Sequence, residues 1–215
     1  MILVKPSFEI ISVTPNALQL IEQAGRTCYK SEEKITNSSA SNFVKLIIKS
    51  GHESVIEHAV ATVRIICDRG VTHEIVRHRL ANYSQESTRY CNYKGGVTFV
   101  IPPWLDIEPG EYVNQRNCDS FSGLRWMMAM LQAEDNYIEL LELGWSPQQA
   151  RSVLTNSLKT EIVMTANFRE WRHFFKLRTA KAAHPQMKEI AIPMLEEFQR
   201  RFPVVFGEFG SRDKE

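Results

Sequence analysis

Apolar and polar positions alternate with two different periods along this chain. The first fourteen residues hold two short apolar runs, ILV and FEIISV, split by Lys5-Pro6, and read as strand. Asn16 then stands where a helix cap belongs, and Leu18, Ile21 and Ala24 share one face of a helix running to about Tyr29. After the polar stretch Lys30 to Ser39, a second helix is predicted over about Asn42 to Lys49, ended by Gly51. Ala59 to Cys67 reads as a largely buried strand, Val71 to Leu80 as a short helix, and Asn82 to Gly96 as a turn-rich structured loop. Val97 to Ile101 is a short strand closed by Pro102-Pro103, and Phe121 to Leu143 a long amphipathic helix stopped at Gly144. Ser146-Pro147-Gln148-Gln149 has the makings of a capped helix start. Thr160 to Asn167 alternates like a strand. Arg169 to Arg178 and Pro185 to Phe202 return to helix, the latter with a kink expected at Pro193. The tail after Gly207 is expected to be loose. Long helices with scattered strands predict an α+β fold, a single domain over 1–215 with a mostly antiparallel sheet flanked by helices.

Composition narrows the classes. The chain has 215 residues, 43% hydrophobic and 24% charged, close to an average globular protein. Its 26 basic and 25 acidic residues leave a net charge of +1, so bulk charge argues for neither nucleic acid nor a membrane surface as partner. No apolar run approaches the ~18 residues of a membrane span, and Pro6 and Glu9 interrupt the stretch where a signal peptide would be apolar. Cys28, Cys67, Cys91 and Cys118 lie far apart with no C-x-x-C pair, which suits free thiols and a cytoplasmic location.

Candidate chemistry gathers in Arg77-His78-Arg79 and Ser84-Gln85-Glu86-Ser87-Thr88-Arg89: three arginines and a histidine within thirteen residues of a neutral protein. A guanidinium fork holds phosphate or carboxylate in bidentate fashion, and short hydroxyls with backbone N–H groups cradle a phosphate. The plainer reading is a solvated basic helix end and a polar loop. Helical phase shifts the balance, because Arg79 follows Ile75 and Val76 onto the apolar side and Arg178 continues the stripe of Trp171, Phe174 and Phe175. For Arg178 the alternative is a bond to the last helix carbonyls. His52-Glu53-Ser54-Val55-Ile56-Glu57-His58 and His73 to His78 invite zinc. In the second, the histidines stand five apart and face roughly 140° away from each other on a helix, which disfavours a metalloprotease site. Polar packing at a helix start is the simpler account of His52 and His58. Trp126, Met127, Met128 and Met130 read as packing, and no G-x-G-x-x-G, P-loop or G-x-S-x-G is present. Asn167 and Arg169 lie at a strand-to-helix junction, suited to an anion or polar ring and equally to an ordinary cap. A nucleotide- or RNA-binding module using Arg77, Arg79 and Arg89 is the competing reading from another class.

Taken together, these pieces resemble the flavin-dependent thymidylate synthases. Arg77-His78-Arg79, seven residues and then Ser87 match that family's R-H-R-x7-S signature, with Arg89 following; His52-Glu53-Ser54 to Glu57-His58 is similar to its H-E-S-x-x-E-H segment. Ala150-Arg151, Asn167-x-Arg169 and Leu177-Arg178 follow in matching order. The resemblance implies methylation of dUMP to dTMP, with 5,10-methylenetetrahydrofolate as carbon donor and FAD, reduced by NADPH, as hydride source. It implies a homotetramer with active sites at subunit interfaces. By position, Ser54, Arg77, His78, Arg79, Gln85, Asn167, Arg169 and His173 are implied as FAD contacts. Glu74, Arg77, Gln85, Glu86, Ser87, Thr88, Arg89, Arg151 and Arg178 are implied for dUMP. Arg178 and Ser87 are implied as the catalytic residues, Arg178 expected against the pyrimidine and Ser87 expected as a hydrogen-bond donor rather than a nucleophile. Thr88 stands where glycine or alanine is frequent in the family, and His173 where asparagine is.

Overall fold

The computed structural model describes residues 1–113 and 120–209. In chain order the strands are β1 (Ile2–Val4), β2 (Ser7–Val13), β3 (Val60–Asp68), β4 (Ala81–Gln85), β5 (Thr98–Val100), β6 (Gly110–Glu111) and β7 (Lys159–Asn167). The helices are α1 (Ala17–Tyr29), α2 (Ser39–Lys49), α3 (Arg69–Ile75), α4 (Phe121–Glu142), α5 (Pro147–Ala150), α6 (Phe168–Arg178), α7 (Pro185–Arg201) and α8 (Pro203–Phe206). Short 3-10 turns cover Glu32–Lys34, Glu53–His58 and Arg151–Val153. The fold is mixed α/β with antiparallel sheet and helices, as expected. The strands form two sheets, ordered β5-β1-β6 and β2-β3-β7-β4. The chain divides into two compact units, each assembled from three stretches: Met1–Ser7, Ile65–Arg77 and Ser84–Ile162 in the first, Phe8–Arg64, His78–Tyr83 and Val163–Glu215 in the second.

In the first unit β1 pairs parallel with β5, Leu3 opposite Phe99, and antiparallel with β6. Leu3, Phe99, Met127, Met130, Tyr137 and Leu158 form its core, so the methionines of α4 pack as the periodicity implied. The Glu134 carboxylate accepts from the Met1 ammonium at 2.6 Å and from Val97 N–H at 2.7 Å, tying α4 to the strand ends. β6 is too short and polar to carry an alternation signal.

In the second unit Thr62 and Thr165 share a 2.9 Å hydroxyl contact between β3 and β7, whose burial alternates residue by residue. Trp171, Phe174 and Phe175 on α6 pack edge-on and stacked with Phe198 of α7 and Phe206 of α8, centroids 5.1–5.9 Å apart. Trp171 Nε1 donates to Ala61 O at 3.1 Å, which satisfies the one polar atom of that buried ring. Pro193 lies inside α7 as anticipated. On α1, a Cβ at Gly25 would meet Phe43 of α2 at 2.5 Å, so the two helices meet where a side chain is missing. Asn16 sits at the α1 cap position in a left-handed conformation (φ 50°), and its side chain makes no cap bond.

Two local expectations are corrected. The helix expected over Val71 to Leu80 runs from Arg69 to Ile75 only, and Ala81–Gln85 is strand rather than loop. Asp68 starts α3, its Oδ1 accepting from Val71 N–H at 2.8 Å. With the helix over by Val76, Arg79 and Leu80 are exposed, and the apolar-face argument for Arg79 fails. Cys28, Cys67 and Cys91 are free thiols, as expected, while Cys118 and the tail beyond Phe209 lie outside the described residues. Among the described residues no helix is long and apolar enough to cross a membrane.

Candidate active site

The second unit carries the more elaborate side-chain network. Asn167 ends β7 and caps α6, its Oδ1 accepting from Glu170 N–H at 2.9 Å. The cap sets the phase of the helix: Trp171, Phe174 and Phe175 turn to the core, while Glu170, His173 and Arg178 reach His78. His78 is buried, and its ring lies 5.4 Å from the His173 ring. Arg178 Nε donates to His78 Nε2 at 3.1 Å. A guanidinium N–H only donates, so Nε2 is the acceptor and the ring proton sits on Nδ1, which faces Glu170 Oε1 at 3.2 Å. Burial, with the charges of Arg178 and His173, lowers the His78 pKa to about 4. The His78–Glu170 contact is therefore a hydrogen bond from a neutral imidazole and not an ion pair. Burial raises the Glu170 carboxyl, partly opposed by His173. Tyr83 closes the network, its hydroxyl donating to His78 O at 2.6 Å; burial and then the Glu170 charge raise its pKa to about 12.

His78, Glu170 and His173 bring ligand-type atoms within 4.8 Å of one another. Both His78 nitrogens are already engaged, one by an arginine N–H, and a cation would have to expel the Nδ1 proton beside that positive charge. The donor set suits an organic ligand better.

Beside this network lies a cavity of about 730 Å³. Asn167, Arg169 and His173 line it, three of the residues implied for FAD. The others are placed elsewhere: His78 is buried, Ser54, Arg77 and Arg79 are exposed, and Gln85 belongs to the first unit. Arg169 is held by Glu57 at 2.6 Å. Lys176 makes no ion pair among the described residues and is free to meet an anion. In a lining that also holds Glu53, Glu57, Glu170 and Glu208, Lys176 offers charge for the phosphates of a flavin nucleotide and Phe209 a flat apolar face for its rings.

Sequence reasoning missed the residues that build the wall of this cavity. Arg172 is buried, donating to Glu53 Oε1 at 3.0 Å, to Glu208 Oε1 at 2.5 Å and to Val205 O. It thereby ties the Glu53–His58 turn and the 205–208 segment to α6. The signal was the opposed charge spacing, Glu53 and Glu57 against Arg169 and Arg172. The His52–His58 segment is thus polar structure around carboxylates, with both histidines exposed.

The first unit holds a second cavity, of about 450 Å³, lined by Thr88 and Arg151 among the residues implied for dUMP. Arg151 Nη1 donates to Thr88 Oγ1 at 2.8 Å. Next to it, Ser87 Oγ accepts from Arg89 N–H at 3.3 Å. Glu86 accepts from Tyr93 Oη at 2.6 Å and Lys159 Nζ at 3.1 Å. Burial alone would lower the Lys159 pKa, but Glu161 and Glu86 outweigh it and raise it. Gln85 donates to Thr72 and Thr160 hydroxyls at 3.2 and 3.3 Å. Glu74 is half-buried, and Arg89 is exposed over the Tyr90 ring. Arg178, in the second unit, is half-buried.

The mixed α/β fold is shared with a known class of nucleotide-modifying proteins. The crystal structure of the UMP/dUMP methylase PolB from Streptomyces cacaoi bound with 5-Br dUMP superposes with a TM-score of 0.79 at 25% identity, covering 97% of this chain and 96% of that one. Residues 9–204 match the Thy1 family, thymidylate synthase complementing protein, and the chain belongs to that family. The flavin-dependent thymidylate synthase of Mycobacterium avium is 37% identical over 197 residues, 88% of this chain and 78% of its own. That of Corynebacterium diphtheriae is 32% identical over 211 residues, 94% and 82%.

Proposed function

We propose that this chain is a flavin-dependent thymidylate synthase: an FAD-using methyltransferase that converts dUMP to dTMP. The reaction consumes 5,10-methylenetetrahydrofolate, NADPH and a proton and releases tetrahydrofolate and NADP⁺. The observation that carries the reading is the family match over residues 9–204, within which Arg77-His78-Arg79 and Ser87 hold the signature spacing.

The division of labour follows from the side chains. In the first unit Arg151 and Thr88 bind the nucleotide phosphate, with Ser87 and Arg89 beside them and Gln85, Glu86 and Glu74 toward the sugar and base. In the second, Asn167, Arg169 and His173 hold FAD, with Ser54, His78 and Arg79 contributing; Arg77, a residue of the first unit, is a further FAD contact. When bound, the flavin supplies the hydride that reduces the transferred carbon to a methyl group. Arg178 lies at the uracil edge. Carbon–carbon bond formation at C5 requires electron density there, and a fixed guanidinium stabilises the negative charge that develops on the ring oxygens. Neutral His78 keeps Arg178 oriented without adding a competing positive charge.

Arg77, Arg79 and Arg89 are exposed and make no ion pair among the described residues, and Leu80 and Tyr90 beside them are 74% and 78% exposed. This supports a site completed by further copies of the chain, a homotetramer. The three-stretch build of each unit supports reading 1–215 as one domain. The free thiols Cys28, Cys67 and Cys91 suit a reducing compartment and support a cytoplasmic location.

The test is turnover. Purified protein should absorb near about 450 nm as an oxidised flavoprotein and form dTMP from dUMP, methylenetetrahydrofolate and NADPH. Arg178→Ala should lower kcat about 10²-fold while the protein stays folded. Protein that stays colourless with added FAD, or makes no dTMP, would sink the reading.

A further inference from the structure

One half-buried arginine has no place in the roles above. Arg69 is the first residue of α3, and its backbone N–H is held by Asn156 O at 3.0 Å and Leu158 O at 3.1 Å. The side chain is therefore projected from a pinned backbone. It makes no ion pair among the described residues, and its Nη1 is buried without a hydrogen-bond partner. A buried N–H on a charged group is costly to leave unmade, so the position calls for an acceptor. The neighbouring carboxylate does not serve: Asp68 caps the helix, its Oδ1 accepting from Val71 N–H, and makes no hydrogen bond with Nη1.

The surroundings define that acceptor. Arg69 lines the 450 Å³ cavity with Arg151, His73, Thr88 and Gln148, and no carboxylate lines it. Two guanidiniums, a histidine, hydroxyls and an amide without a single acid form a site for a dianion. Arg151 is committed through one nitrogen to Thr88, so one arginine alone would leave part of a phosphate unsatisfied.

We propose that Arg69 is a direct ligand of the substrate's 5′-phosphate, its buried Nη1 donating to a phosphate oxygen alongside Arg151 and Thr88. The inference rests on the functional reading above and adds to it a binding residue outside the signature motifs.

Calorimetry on the FAD-loaded protein tests it with two probes, dUMP and deoxyuridine, which differ only in the phosphate. Arg69→Met should weaken dUMP binding about 10- to 100-fold and leave deoxyuridine unchanged. The fall of dUMP affinity with salt should also become shallower, because one fewer cation meets the phosphate. If the methionine variant does not fold, Arg69→Lys decides. It keeps the charge but loses the planar fork, and dUMP binding should drop several-fold with deoxyuridine unaffected. Unchanged dUMP affinity in a folded variant overturns the inference, as does an equal loss for both ligands. Wild-type protein that binds no dUMP would overturn the functional reading as well.

Discussion

At the level of single residues, Arg178 shows what sequence could and could not supply. Its place one turn beyond Phe174 and Phe175 was legible, and so was the need for a partner. One partner, His78, lies 100 residues away and is a neutral imidazole. No periodicity reveals such a pairing, because it depends on where β7 ends and on the Asn167 cap. The chain Glu170–His78–Arg178 has a kinetic consequence. Glu170→Leu should lower kcat about 10- to 100-fold with little change in the KM for dUMP, while Glu170→Gln, whose amide oxygen still accepts from Nδ1–H, should retain most of it. Nitrogen-15 shifts of the imidazole would report the Nδ1–H tautomer and its loss in the leucine variant. Stability carries a second signature. A histidine ordinarily titrates near about 6.5, whereas folded His78 does so at about 4, flanked by Glu170, Arg178, His173 and Tyr83. Between those values the unfolded chain takes up a proton that the folded protein refuses. Its contribution is thus complete above pH about 6.5 and declines as pH falls toward 4. Melting temperatures measured across that interval should fall with acidification, and His78→Asn should flatten the dependence.

Among the elements, those with strong periodicity were legible to within a few residues: α1, α4, α6, α7, β3 and β7 all lie where the apolar pattern placed them. The pattern failed where few residues carry it. Helix α3 stops at Ile75 because the chain leaves the helix at Val76 and enters β4, so a phase argument extended to Arg79 had no helix beneath it. Polar β4 looks like a loop in sequence because its ladder, and not its composition, makes it a strand. The aromatic stripe of α6 was read correctly, and its energetic weight can be measured. Trp171 is fully buried against Phe174, Phe175 and Phe198. Trp171→Ala should cost about 3–5 kcal/mol in urea unfolding.

On the scale of the whole molecule, a net charge of +1 conceals a sorted distribution. The cavity of the first unit has cations and no acids, while that of the second mixes Arg169, Arg172 and Lys176 with Glu53, Glu57 and Glu170. Bulk composition could not reveal this, since the two signs cancel over the chain. The family was legible from motif spacing alone, because spacing survives where composition averages out. The proposed assembly makes its own prediction: light scattering should give about four times the 24.8 kDa chain mass, whereas a 24.8 kDa species active in solution would refute shared sites.

The interleaving of the two units reaches beyond chemistry. The borders at 7/8, 64/65, 77/78, 83/84 and 162/163 mean that no single scission releases either unit whole. One border even separates Arg77 from His78 inside the signature motif. A single crossover between genes therefore cannot bring in either unit as a ready-made module.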